Sequence, residues 1–507
     1  MSLTNNRNKY SMLNALSAVS LTLVNGLFGF VVTLLILQHY GSDFNGLNST
    51  ANQVVHVLMI VEGGFTTASN VALFAPYVKG DFALVNGILV ATQKKFRRIG
   101  TLFFIVGTVV SAGYALMANS ALEREFIFTV IMMTMIPPAF NLFYASTYRV
   151  LLQAQQKEYI VSFTTTATIG LGHICNIIMI SSNGPMWMVR VNTMTFSLIS
   201  YLIIAGYTKR KNKFINFQTP PRPELIKGTG DVMAQRVTSV IFDSAPLIFL
   251  SISPAGGTVL ASVYAVYNNV FIIIKNLLRS LIDAPRLGFG EMLTHRERED
   301  VWPAYSQYEY LIFTAVFVLL TTACAVILPF IKIYTNGIND ANYVDLAIAV
   351  LMVSCSVLEL LHIPSFHLIN MAGHFRISRN IQIASCITLL VSLGIGGTLW
   401  GLYGMLASVL LVGLLLCVLE MGYVHVYFFK GKLKHLLRLL LPLIIVGVAI
   451  CWVELSLVLP INSYFTFVLF GALFVCINGA VALLTGFVFN RRELTALFKR
   501  GLALIKR

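Results

Sequence analysis

The sequence predicts an all-α polytopic membrane protein with about fourteen transmembrane helices, and three observations support this fold class. Of the 507 residues, 57% are hydrophobic and 11% are charged, and the mean hydropathy of +0.78 is far above that of water-soluble domains. Apolar runs of about 20 residues, long enough to cross about 30 Å of hydrocarbon as helix, recur throughout the chain. The alternating pattern of a membrane β-barrel is absent. Because backbone amides must be satisfied internally in lipid, the runs must be helices.

The apolar runs define the predicted elements in order. The first run is too long for a signal-peptide core, and no small-residue cleavage site follows it, so we expect it to be retained. The predicted spans are 13–38, 54–75, 99–119, 126–148, 159–181, 186–207, 237–254, 258–280, 308–331, 344–371, 380–399, 401–428, 438–459 and 464–489.

Basic residues predict the orientation of these spans. With the N-terminus in the cytoplasm, the inner segments hold all but five of the 36 Lys and Arg residues, so the positive-inside rule places both termini inside. The exceptions are Arg124, Arg190, Lys275, Arg279 and Lys332. The formal net charge of +15 is explained by contact between basic loops and anionic lipid, and we expect no nucleic-acid partner.

A repeat predicts the domain organisation. LLQAQQKEYIVS (151–162) and LINMAGHFRISR (368–379) follow the fourth and tenth spans, an offset of six helices. We therefore predict an N-terminal six-helix lobe (1–208), a charged, proline-rich cytoplasmic linker (209–236), a second six-helix lobe (237–430), and two further helices with a basic tail (431–507). A substrate site is expected between the lobes.

Charged residues inside the spans are the candidate functional groups, because each needs a partner, a cavity or a proton. Lys275, Arg279, Asp283 and Arg286 have spacings of four, four and three, which predict one face of the eighth helix. A cationic stripe there would attract a phosphate. The alternative is that the two arginines extend to inner headgroups and that Asp283 neutralises one of them.

Arg190, Asp243 and Glu359 are further candidates. Arg190 follows Trp187 and either extends to the outer headgroups or lines a cavity as a third phosphate-binding cation. Asp243 is a candidate to pair with Lys275, to bind a coupling cation, or to cap amides freed at Pro246. Glu359 is a candidate coupling acid that could share a proton with His362, or a structural polar group. We expect Glu420, His425 and Glu454 to be packing or interfacial groups.

The stretch IVEGGFTTASNVALFAPYVKGD (60–81) places an acid, Glu62, inside the second span. Helical spacing puts Glu62 on roughly the same side as Thr66, Ser69 and Asn70, which favours a cavity-facing acid with a polar face around it. Gly63 and Gly64 would allow close helix approach or bending, and Pro76 is expected to end the helix. Glu62 either titrates during transport or holds a polar partner in place.

Other features exclude several function classes. The chain has no phosphate-binding GxxxxGK[ST] loop, no HExxH and no GxSxG motif, so we expect neither an enzyme nor a cofactor, apart from a coupling H⁺ or Na⁺. The seven cysteines lie in apolar runs without a CxxC pair, which predicts buried thiols and no metal site.

Several segments resemble the polysaccharide flippases of the multidrug/oligosaccharidyl-lipid/polysaccharide (MOP) exporter superfamily, in particular the Wzx-like or teichoic-acid type. They are EGGFTTASNVALFAPYVKGD, QAQQKEY, PFIKIYTNGINDANYVD, MAGHFRISRN and GLYGMLAS. The resemblance implies two six-helix lobes in a V-shaped arrangement around a cavity that opens alternately to each side. It also implies an undecaprenyl-diphosphate-linked oligosaccharide as substrate, moved from the inner to the outer leaflet.

The resemblance extends to particular residues. It implies that Lys275 and Arg279 bind the diphosphate and that Glu62 takes part in coupling, whereas the family's acid in the seventh helix lies further into that helix than Asp243. Expected partners are the lipid-linked oligosaccharide, membrane lipids and polysaccharide-assembly enzymes, and the expected location is the bacterial plasma membrane. The alternatives are a MATE-like antiporter for hydrophobic cations, a membrane glycosyltransferase or polymerase, and a non-transporting scaffold.

Overall fold

The computed structural model describes residues 2–226 and 230–505, and this part of the chain consists of helices joined by short connections. Residues 227–229 of the predicted linker and 506–507 of the predicted basic tail lie outside the described residues. Contacts divide the chain into an N-terminal unit, Met1–Ser262, and a C-terminal unit, Val263–Arg507. The predicted lobe and linker boundaries and the location of the termini stay predictions.

The described residues of the N-terminal unit form eight α-helices and the start of a ninth. They are α1 Ser2–Leu58, α2 Ile60–Lys79, α3 Phe82–Met117, α4 Arg124–Phe140, α5 Ser146–Ala154, α6 Glu158–Ser181, α7 Met188–Lys211, α8 Gly230–Ile252 and α9 Thr258–Asp283. A π-helical segment, Asn141–Ala145, joins α4 to α5 directly after Pro137 and Pro138. Since neither proline carries an N–H group, the regular ladder of hydrogen bonds is interrupted there.

The C-terminal unit contains the rest of α9 and the helices that follow it. They are α10 Arg286–His295, α11 Arg298–Tyr334, α12 Leu346–Leu361, α13 Ile363–Met371, α14 Phe375–Leu416, α15 Leu433–Ser456, α16 Tyr464–Phe489 and α17 Arg491–Ile505. Two π-helical segments, Cys417–Met421 and Tyr423–Phe428, extend α14.

Eleven stretches of the described chain are helices long and apolar enough to cross a membrane, and the protein is therefore a multi-pass membrane protein. The all-α class is confirmed, and all of the predicted spans overlap helix. There are fewer stretches than predicted spans because α14 contains two of the predicted spans and because α2 and α8 are not among the eleven. Two of the long helices contain a glycine break. Gly41 (φ 82°) interrupts α1 and Gly401 (φ 55°) interrupts α14. Positive φ is accessible to glycine because it has no Cβ.

Three predicted connections are helical instead. Residues 42–53 continue α1, because their polar side chains meet partners within the N-terminal unit: Asn45 donates to Ser262 at 2.7 Å. The helix that contains the predicted span 308–331, α11, continues beyond residue 331 to Tyr334. Pro76 does not end α2, which continues to Lys79 and stops at Gly80 (φ 73°). Pro76 removes one backbone hydrogen bond without ending the helix, and the left-handed conformation of Gly80 ends it.

The two repeated segments adopt the same turn, each within its own unit. In the first, the N–H of Lys157 donates to the carbonyl of Leu152 at 2.8 Å across Gln156, whose φ is 60°. In the second, the N–H of His374 donates to the carbonyl of Ile369 at 3.0 Å across Gly373, whose φ is 77°. Equivalent positions of the two segments therefore have equivalent backbone conformations, which supports the repeat.

All seven cysteines are free thiols, as predicted. Their burial differs from the prediction, however, since Cys324, Cys355 and Cys386 are buried whereas Cys476 is exposed. An apolar run fixes that a residue is in a helix, but only packing decides whether it faces protein or lipid.

Candidate functional site

The C-terminal unit brings together three of the predicted site residues. Lys275 and Arg279 are one helical turn apart on α9, and both contact Glu359 on α12. Lys275 Nζ donates to Glu359 Oε2 at 2.9 Å, and Arg279 Nη2 donates to Glu359 Oε1 at 2.5 Å. Each carboxylate oxygen therefore holds one cation, and the cluster carries one net positive charge.

The cluster is only partly enclosed. The side chain of Lys275 is 15% exposed, that of Glu359 is 29% exposed and that of Arg279 is 40% exposed. Charges so placed on transmembrane helices are unfavourable in hydrocarbon unless paired, which explains why Glu359 lies against both cations. Partial exposure leaves the pair reachable by a ligand.

The predicted stripe on the eighth helix is shorter than expected. α9 ends at Asp283, and Arg286 begins the separate helix α10 after Pro285, so the spacing of three does not place Arg286 on the same face. Asp283 neutralises neither arginine in an ion pair, and its Oδ1 lies 2.8 Å from Nε2 of His367 on α13.

His362 does not share a proton with Glu359. The His362 ring nitrogen Nδ1 lies 2.7 Å from Glu420 Oε2, while Gln382 donates to the other oxygen of Glu420 at 2.7 Å. The helix is interrupted at His362, between α12 and α13, because Pro364 lacks the N–H group that would continue the hydrogen-bond ladder. Glu420 is fully buried, which agrees with the packing alternative of the prediction and excludes the interfacial one.

Sequence reasoning missed a second buried carboxylate of the C-terminal unit, Glu309 on α11. Its Oε2 lies 2.9 Å from His425 Nε2, and its Oε1 accepts from the Tyr305 hydroxyl at 3.1 Å. Glu309, Tyr305 and His425 are fully buried. The spacing of four between Tyr305 and Glu309 is a signal in the sequence, but Glu309 falls at the edge of a predicted run, where an acid is ordinary.

In the N-terminal unit, Arg190 lies near the start of α7 and is buried, with 5% of its surface exposed. It therefore does not extend to the headgroups. Its Nη1 donates to Asn52 Oδ1 at 3.0 Å, and its Nη2 donates to the backbone carbonyl of Asn48. Arg190 also lines a cavity of about 200 Å³ together with Tyr201.

Glu62 is half-buried on α2 and accepts a hydrogen bond from the Thr66 hydroxyl at 2.7 Å. Ser69 is buried, and neither its hydroxyl oxygen nor Asn70 Oδ1 has a hydrogen-bond partner among the described residues. The polar face predicted for this helix therefore contains groups that a ligand or water would satisfy.

Gly63 and Gly64 face α8 of the same unit. A Cβ at Gly64 would come within 2.5 Å of Met233 Sδ, and one at Gly63 within 3.6 Å of Arg236. Both neighbours are side-chain atoms, so side chains of α8 pack over the two glycines, and the predicted approach of helix backbones stays a prediction. Asp243, also on α8, is exposed, whereas the next residue, Ser244, is buried and donates to Gln53 at 2.9 Å.

The sequence matches no protein-family model and no curated protein. Its structure does resemble solved structures. A structure of the lipid II flippase MurJ in an inward closed conformation has a TM-score of 0.63 at 11% identity, covering 92% of this chain and 98% of that chain. An inward-facing multidrug resistance MATE family transporter of the MOP superfamily has a TM-score of 0.64 at 14% identity, covering 82% and 96%.

A third similar structure, a MATE protein in the bent conformation, has a TM-score of 0.51 at 12% identity and covers 87% of this chain and 96% of that chain. At such identities the likeness concerns the fold alone. Nearly the whole length of each similar protein is nevertheless matched. The chain therefore has the all-helical fold shared by the MurJ flippase and by MATE transporters of the MOP superfamily.

Proposed function

We propose that this protein is a flippase that moves an undecaprenyl-diphosphate-linked oligosaccharide, or a teichoic-acid precursor, from the inner to the outer leaflet. The observation that carries the proposal is the cluster of Lys275, Arg279 and Glu359 within the helices. Support also comes from the fold, which this chain shares with a lipid II flippase. Alternating access of the two lobes would expose the bound substrate first inside and then outside.

The chemistry of the cluster suits a phosphate. Glu359 presents two oxygens to two cations, at 2.9 and 2.5 Å. Two non-bridging oxygens of a phosphate group are hydrogen-bond acceptors with a separation similar to that of the two carboxylate oxygens. A diphosphate would therefore take the place of the Glu359 carboxylate and accept charge-assisted hydrogen bonds from Lys275 and Arg279. The glycan would be solvated in a polar cavity, and the lipid tail would stay in the bilayer.

The proposal can be tested with a triple variant that has no charge in the cluster, in which Lys275→Gln, Arg279→Gln and Glu359→Gln are combined. Removing all three charges avoids leaving an unpaired acid, so the fold should survive while phosphate binding is lost. Cells that depend on this variant should accumulate undecaprenyl-linked precursor, measured by mass spectrometry, and should lose surface polysaccharide. The control is Lys332→Gln, an exposed lysine at the end of α11, which should behave as wild type.

Normal surface polysaccharide without accumulated precursor in the neutral-cluster strain, or in a deletion strain, would contradict the proposal. The same mass spectra would identify the glycan.

An antiporter for hydrophobic cations is the second candidate, because the fold is equally similar to a MATE family transporter. Glu359 is already paired with two cations, so the Lys275, Arg279 and Glu359 cluster is unsuited to a cationic substrate. Efflux of a lipophilic organic cation by the purified protein in vesicles, with no effect on lipid-linked precursor in cells, would favour this alternative.

Coupling and cell location are further parts of the proposal. Glu62, Asp243 and Glu359 are the candidate groups for a coupling H⁺ or Na⁺. We expect no catalysed reaction, and we expect the protein to lie in the plasma membrane with polysaccharide-assembly enzymes as partners.

A further inference from the structure

The Arg190 guanidinium is the starting point for an inference that uses only the N-terminal unit. Arg190 is 5% exposed, and its two recorded acceptors, the Asn52 side-chain oxygen and the Asn48 backbone carbonyl, are both uncharged. Among the described residues, no carboxylate lies within ion-pair distance of it. A buried charge without a counter-charge is strongly unfavourable, so binding of an anion next to Arg190 would stabilise the folded protein.

One donor of this guanidinium is still free to bind. Arg190 Nε is buried and has no hydrogen-bond partner among the described residues. Since an unsatisfied buried N–H is rare in folded proteins, its presence calls for a ligand or a water molecule.

The free donor belongs to a residue that lines a cavity of about 200 Å³. Asn52 and Tyr201 line it too. The Asn52 oxygen is taken by Arg190, so its amide hydrogens remain available, and the Tyr201 hydroxyl adds another donor.

The other hydroxyls around the cavity are already committed to backbone carbonyls. Thr134, Thr193 and Ser197 each donate to the carbonyl four residues earlier, at 2.7 to 2.8 Å. The free donors therefore come from Arg190, Asn52 and Tyr201, one of them charged, a composition that suits an oxyanion.

We propose that this cavity is an anion site that binds a phosphate group through Arg190, Asn52 and Tyr201. Its volume of about 200 Å³ is large enough to hold a phosphate group. The phosphate is borne by a lipid carrier or is free in solution, and these two sources share the same chemistry. The site lies within the N-terminal unit and does not require the proposed transport function.

The test measures thermal unfolding of the full-length protein, purified in detergent without phosphate, at constant ionic strength. One arm adds inorganic phosphate and the other adds a polyprenyl monophosphate in mixed micelles. Because a ligand that binds only the folded state stabilises it, wild type should melt about 3 °C higher at 100-fold excess over Kd. Arg190→Gln should show no such shift.

The matched control is Arg98→Gln, another arginine of this unit, whose side chain is exposed on α3. It should keep the wild-type response. Tyr201→Phe removes one donor only and should weaken phosphate binding about tenfold without affecting the unliganded protein, and it decides the matter if Arg190→Gln does not fold.

A shift with inorganic phosphate that Arg190→Gln loses supports an anion site filled from solution. A shift seen only with the polyprenyl phosphate, and lost in the same variant, supports a lipid phosphate as the occupant. The proposal is overturned if neither probe stabilises wild type, since water then satisfies Arg190. It is also overturned if both variants respond as wild type does.

Discussion

At the scale of residues, Glu359 sets how much positive charge Lys275 and Arg279 present. With the carboxylate in place the cluster has one net positive charge, and without it there are two. A substrate phosphate and Glu359 therefore compete for the same donors. This competition is a direct consequence of the distances, and it can be measured without a transport assay.

We expect Glu359→Gln to bind inorganic pyrophosphate at least about tenfold more tightly than wild type, because the competing anion is gone. The same change should lower the free energy of unfolding by about 2 kcal/mol, since two cations lose their counter-charge. Calorimetric titration and thermal unfolding of the purified protein measure the two effects.

The control for this prediction is Glu224→Gln, which removes an exposed pair with Arg222. It should change neither quantity by a detectable amount, because exposed ion pairs contribute about 0–1 kcal/mol. Unchanged or weaker pyrophosphate binding by Glu359→Gln would show that the carboxylate and the anion do not share a site.

At the scale of elements, α1 contains glycines with different roles. A Cβ at Gly46 would overlap the backbone carbonyl of Thr258 at the start of α9, within the N-terminal unit. At Gly29 nothing lies within 4 Å. Gly46 therefore allows α1 and α9 to approach until their backbones are in contact. Alanine would fit equally well at Gly29.

We expect Gly46→Ala to lower the free energy of unfolding by about 1–3 kcal/mol, because backbone atoms cannot move aside as a flexible side chain would. Gly29→Ala should leave it unchanged or raise it by up to about 1 kcal/mol, since alanine favours helix. Unfolding followed by tryptophan fluorescence compares the two. Equal effects of the two substitutions would refute the assigned packing.

At the scale of the whole molecule, the distribution of Lys and Arg predicts cytoplasmic termini. All but five of the 36 basic residues are on the predicted inner side, a bias that orients helices during insertion. We expect alkaline phosphatase fused at the C-terminus to be inactive and the same enzyme fused in the connection around Gly337 to be active. Active enzyme at the C-terminus would reverse the orientation.

The sequence predicted much of the fold but fewer of the contacts at the candidate site. The length of the apolar runs identified the helices, because the thickness of the hydrocarbon layer sets how many residues a spanning helix needs. The prediction was wrong for residues 42–53, because their polar side chains are typical of a loop. In the structure they are helical, and Asn45 donates a hydrogen bond to Ser262. The repeat was predicted from the similarity of the two segments. In the structure, Gln156 and Gly373 occupy equivalent positions of the same type of turn.

Lys275, Arg279 and Glu359 were each recognisable from the sequence as charges in spans, but their pairing was not. Lys275 and Glu359 are 84 residues apart, and Glu309 and His425 are 116 apart. Helical periodicity relates residues only within one helix, so it carries no information about which helices face each other.

The sequence by itself determined that this chain is an all-helical membrane protein, which apolar runs form its helices, and which charges need an explanation. These properties follow from local composition, because lipid penalises exposed amides and unpaired charges residue by residue. The tertiary structure alone decided that Glu359 holds both α9 cations, that His362 pairs with Glu420, and that Arg190 is buried beside a cavity. Those facts depend on the packing of separate helices, which is a property of many contacts at once and of no single segment.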